Sequence, residues 1–69
     1  MQKPAHELKI HDVIEDEKYG KLTIFGVRRL RSRTVVFCVN ETYTMFVMKE
    51  VPRTSQRTFN IIHEASEAL

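Results

Sequence analysis

The chain has 69 residues, 42% apolar and 29% charged, with a formal net charge of +2. A chain this short makes one domain, 1–69, which buries only about 60% of its unfolded surface, so its stability margin is thin. Intrachain disulfides are excluded, because Cys38 is the only cysteine, and no apolar run approaches the ~20 residues of a membrane span.

Residues 1–7, polar and without the apolar core of a signal peptide, are expected to be flexible. Together with the lone cysteine in an apolar run, this implies a reducing, cytoplasmic setting. Residues 8–51 read as a β-sheet body. Leu8 to Ile14 alternates imperfectly as a first strand. Asp16 to Gly20 is a turn, with Gly20 at a positive-φ position. Leu22 to Leu30, rich in β-branched and aromatic residues, is a second strand, and Gly26 inside it marks a bulge or bend that lets the sheet curl. Arg31 to Arg33 is a short connection and Thr34 to Val39 a third strand. Asn40 to Thr42 turns into a fourth strand, Tyr43 to Val51, which Pro52 closes.

From Thr54 the period changes. Phe59, Ile62, Ala65 and Leu69 recur at three- and four-residue spacing, which predicts a C-terminal helix over 54–69 with Thr54 or Ser55 as N-cap. A competing reading makes Arg57 to Ile62 a fifth strand. Simple alternation puts Leu22, Ile24, Leu30, Val35, Phe37, Val39, Phe46 and Met48 on one face of the sheet. Phe25, Val27, Val36, Cys38, Met45, Val47 and Val51 fall on the other. Both faces are apolar and both need a cover. The expected fold is therefore α+β, mainly β: a small, strongly curled antiparallel sheet or barrel packed by one C-terminal helix. The second face is closed by the first strand or by a second copy in a homodimer.

Charge is the chief functional signal. Lys21 to Arg33 holds five of the eleven basic residues and no acidic one, while the rest of the chain nets −3. Arg28, Arg29, Arg31 and Arg33 straddle the tight turn. Arginine suits bidentate phosphate contact, and a two-stranded ribbon can track a phosphate backbone. Lys21, Arg53 and Arg57 are expected as supporting contacts, the latter two flanking a helix N-terminus. Phe25 and Tyr43 are candidates for stacking on unpaired bases. The expected function is non-catalytic nucleic-acid binding. The alternative is an inhibitor or adaptor of the phage or mobile-element type that docks an acidic protein surface, possibly as a homodimer. Phe25, Tyr43, Met45 and Val47 would then form its interface. A third reading is a solvated tip that protects strand ends.

Catalysis and cofactors are not expected. His6, His11 and His63 with Cys38 match no zinc spacing, the acidic turn lacks the alternation of a calcium loop, and two glycines make no phosphate loop. The phrase Tyr19-Gly20-Lys21-Leu22-Thr23-Ile24 resembles the strand-opening segment of small phage-borne DNA-binding and homing-endonuclease accessory domains, without the cysteine-rich segment that follows there. The order of elements is similar to that of the chromatin-type and archaeal SH3-like DNA-binding barrels. That resemblance implies an SH3-like barrel.

Overall fold

A computed structural model describes residues 1–65. Six strands follow in order: β1 (Gln2–Pro4), β2 (Val13–Asp16), β3 (Gly20–Arg29), β4 (Arg33–Asn40), β5 (Phe46–Pro52) and β6 (Thr58–His63), with one 3-10 turn at Ala5–Glu7. They form a single antiparallel sheet in the order β1-β6-β2-β3-β4-β5.

The β2–β3 turn forms where the sequence places it. The Asp16 carboxylate Oδ2 accepts the backbone N–H groups of Lys18 and Tyr19, each at 2.9 Å, and Gly20 takes φ 78°. An aspartate that mimics the turn's own carbonyl and a residue without Cβ solve the two steric problems of this loop. β3 and β4 are long because their β-branched and aromatic residues tolerate extended backbone on a half-buried surface.

Two expectations are corrected. Residues 58–63 are a strand, not part of a C-terminal helix, and the sheet is open rather than an SH3-like barrel. In β6, Phe59 and Ile61 are buried while Thr58 and Ile62 are exposed, so the true period is two. β6 lies between β1 and β2 and hydrogen-bonds on both sides. That satisfies the backbone of a six-residue segment, which a helix of so few turns does poorly. Thr54 and Ser55 belong to a turn instead, where the Ser55 N–H donates to the Pro52 carbonyl and its hydroxyl accepts the Arg57 N–H. Glu67, Ala68 and Leu69, part of the helical reading, lie outside the described residues.

The first seven residues also differ from expectation. Gln2–Pro4 pairs with β6, and the 3-10 turn delivers Ala5 and Leu8 to the core. Leu8 to Ile14 is not one strand. Lys9 to Asp12 is a turn in which His11 takes φ 82° and the buried Asp12 carboxylate accepts the Lys9 N–H and the Ala65 N–H. A buried carboxylate with both oxygens engaged is satisfied, and here it fastens the C-terminal segment to the start of β2.

The sheet curls around one core face. Leu22, Ile24, Val36 and Cys38 are fully buried there, together with Ile14, Val51, Phe59 and Ile61. The curl is strong enough that Lys49 of β5 reaches Asp16 of β2, although β3 and β4 lie between those strands in the sheet; Nζ and Oδ1 are 2.6 Å apart.

The bulge decides the faces. Between Arg29↔Thr34 and Gly26↔Phe37 the β3–β4 register is regular; it then shifts by one, so that Ile24 opposes Cys38. A one-residue slip exchanges the faces of every residue beyond it. Leu22 and Ile24 consequently lie with Val36, Cys38 and Val51, not with Phe37, Val39 and Phe46 as simple alternation implied.

Candidate nucleic-acid interface

The structure allots the seven basic candidates to different tasks. Arg28, opposite Val35, projects from the outer face of the sheet. Arg29 points the other way. Its guanidinium donates Nε–H to the His6 carbonyl and Nη2–H to the Leu8 carbonyl, each at 2.9 Å. Those bonds tie the 3-10 turn to the sheet and occupy two donors of the fork. Arg31 sits at the tip of the β3–β4 turn, which is closed by the Leu30 N–H to the Arg33 carbonyl. Arg33 pairs through Nε with Glu50 at 3.2 Å, both about half exposed.

Arg53 joins this end of the molecule, because its backbone N–H donates to the Ser32 carbonyl at 3.0 Å. Arg57 does not. Its guanidinium lies over the Phe59 ring, 4.8 Å from the centroid, on an open groove of about 980 Å³ that Glu15, Asp16 and Glu17 also line. Lys21 stands opposite Glu15 near the other end of β3. Among the described residues Arg28, Arg31 and Arg53 make no side-chain hydrogen bond or ion pair, so three arginines at the hairpin end keep all their donors.

The four predicted interface residues are not brought together. Val47 packs on the core from the inner face of β5. Tyr43 and Met45, exposed, occupy the β4–β5 connection, where Tyr43 takes φ 58° and the Asn40 side chain accepts the N–H groups of Thr44 and Met45. Only Phe25 lies on the outer sheet face. It has neighbours there that alternation alone had put elsewhere. Its ring is 5.7 Å from that of Phe46 at an interplanar angle of 77°, and 6.2 Å from that of Phe37 at 44°. Met48 sits opposite Phe37 in the next strand. Phe25, Met48 and Phe46 are 48%, 60% and 72% exposed. Gly26 makes room for this cluster, since a Cβ there would lie 3.2 Å from Phe37 Cδ2. The signal was present in the sequence: a bulge at Gly26 reverses Phe25 relative to Ile24's partners.

Other chemistry finds little footing. Burial pushes the Cys38 thiol up to about 11, which leaves it protonated and a poor nucleophile. Among the described residues no three His, Cys, Asp or Glu side chains are placed to hold a metal ion. Among the described residues no helix is long and apolar enough to cross a membrane. Comparison of the chain with family models, with curated proteins and with solved structures finds no match.

Proposed function

We propose that this protein is a non-catalytic nucleic-acid binder that contacts phosphates with the arginines at the β3–β4 end. The observation that carries the reading is the bond from the Arg53 N–H to the Ser32 carbonyl, which adds a second arginine-bearing loop to the tip already holding Arg28 and Arg31. Guanidinium groups with uncommitted donors suit bidentate phosphate contact. Arg33 contributes through its charge, shared with Glu50. Arg29 and Arg57 are assigned to the fold, and Lys21 to the far end of the same face.

Binding on this account proceeds by counterion release. Three to four phosphate contacts give a slope of about −3 in log affinity against log salt. The test is fluorescence anisotropy of labelled DNA and RNA, titrated with protein at several salt concentrations. Arg28→Glu with Arg31→Glu abolishes binding and leaves the circular dichroism spectrum unchanged. A flat titration for every nucleic acid at low salt refutes the reading.

A further inference from the structure

We propose that the outer face of β3, β4 and β5 is a stacking bed for the unpaired bases of a single-stranded nucleic acid, with Phe25 and Phe46 supplying the rings. This rests on the phosphate-binding reading above and names the substrate class of that site.

The register places the aromatic cluster between two cations on one face. Along β3, Lys21 and Thr23 precede the bulge and Arg28 follows it, all facing outward. In the row before the bulge, Phe46, Val39 and Thr23 lie side by side across the three strands. In the row after it stand Met48, Phe37 and Gly26, with Phe25 filling the gap. The separation of Lys21 and Arg28 is about 20 Å at ~3.3 Å per residue. A strand with bases stacked at about 3.4 Å has room there for several nucleotides between two phosphate contacts.

The chemistry of the face favours bases over the other occupants. An aromatic ring exposed on a sheet offers a π-face to any base, and a base in a duplex has both of its faces covered by neighbours. A flat face of this kind therefore discriminates single strands from duplex. The rings hold one another by edge-to-face contact, so they stay in place without a cover. On this face Glu15 stands across from Lys21 in the strand register and Glu50 is paired with Arg33. Arg28 remains as an uncompensated positive charge beside the rings, and Arg31 and Arg53 extend that charge to the tip. An acidic polymer with aromatic units is complementary to this arrangement of charge and rings.

The test uses the full chain with labelled oligothymidine, oligouridine and a mixed duplex, each of about twelve nucleotides, within the site sizes of small single-strand binders. The single strands bind at least about tenfold more tightly than the duplex. Phe46→Ala and Phe25→Ala each weaken single-strand binding about tenfold, leave duplex binding unchanged and leave the salt slope intact. Phe46→Leu, which keeps the apolar bulk without the π-face, is nearly as impaired as Phe46→Ala. Phe46→Trp provides a second readout, because the chain has no tryptophan of its own; single strands quench its fluorescence and duplex does not. Phe46 is largely exposed, so its variants fold. Equal affinity for single strand and duplex, unaffected by Phe46→Ala, overturns base stacking and leaves phosphate binding standing. Absence of binding to any nucleic acid at low salt overturns both readings.

Discussion

Removing the charge of Asp16 is the sharpest probe of what holds the sheet curled. The carboxylate and the Lys49 ammonium join β2 to β5, and their side chains are only 7% and 14% exposed. Asp16 and Lys49 also line the open groove, so the pair is part-buried; removing one partner of a fully buried pair costs about 3–5 kcal/mol. Asp16→Asn keeps an oxygen to accept the Lys18 and Tyr19 N–H groups, so the turn survives and the loss lies at the lower end, about 3 kcal/mol. A domain of this length has about 3–10 kcal/mol in total, at roughly 0.05–0.15 kcal/mol per residue. The melting temperature therefore falls about 12–24 °C, at about 4–8 °C per kcal/mol.

The same pair predicts an acid limb. Burial alone would raise the Asp16 carboxyl, but the Lys49 ammonium and the N–H groups of Tyr19 and Lys18 outweigh it and hold the group below the usual carboxylate range. A depressed folded-state pKa contributes stability above the unfolded value of about 3.9, and that stability is lost as pH falls from there through the folded value. Urea unfolding followed by circular dichroism, at neutral pH and below pH ~4, measures both effects in the parent, Asp16→Asn, Lys49→Met and the double variant. The acid limb flattens in Asp16→Asn. A loss under about 1 kcal/mol, or a double-mutant coupling near zero, would show the pair to be solvated like an ordinary surface bridge and would refute the reasoning.

Three further outcomes follow from single side chains. Arg29→Ala removes two charge-assisted bonds to the His6 and Leu8 carbonyls and destabilises the protein by about 1–3 kcal/mol. Amide exchange accelerates first around residues 5–8, and nucleic-acid affinity falls less than it does in Arg28→Ala. Gly20→Ala costs about 1–2 kcal/mol in urea unfolding through its positive φ alone, since a Cβ there meets no other atom within 4 Å. The Cys38 thiol, fully buried and shifted to about 11, resists a maleimide at mildly alkaline pH and labels at the rate of unfolding. Labelling at the speed of a free thiol would contradict its placement.

Much of the sheet was legible because its signals are local. Gly20 and Asp16 mark a turn by their own conformational chemistry, and the β-branched runs on either side of Arg31 mark a hairpin. Two elements depended on distant partners. Gln2-Lys3-Pro4 carries no pattern of its own and becomes a strand because β6 offers it a ladder. Thr58 to His63 presents Phe59, Ile61 and Ile62, a trio compatible with either period. The choice is made by β1 and β2, which supply hydrogen bonds on both sides. A six-residue window cannot express that competition, since the free energy that settles it belongs to strands more than forty residues away.

The basic candidates raise the same problem at the level of the site. Seven of the eleven cations could be picked out as candidates in the sequence, but their allotment is a property of the register. The bulge at Gly26 turns Arg29 inward onto the carbonyls of the 3-10 turn and leaves Arg28 outward beside the aromatic rings. Those two residues are neighbours in sequence with the same side chain and both are exposed, but Arg29 is bonded to backbone carbonyls while Arg28 keeps its donors. The bulge also gathers Phe25, Phe37 and Phe46, which a regular hairpin would have split between the faces. One inserted residue therefore moves the center of the surface from a charged tip to an aromatic face with charge at its ends. Gly26 eases it, because a Cβ at that position would lie 3.2 Å from the Phe37 ring, which would have to shift by a few tenths of an ångström.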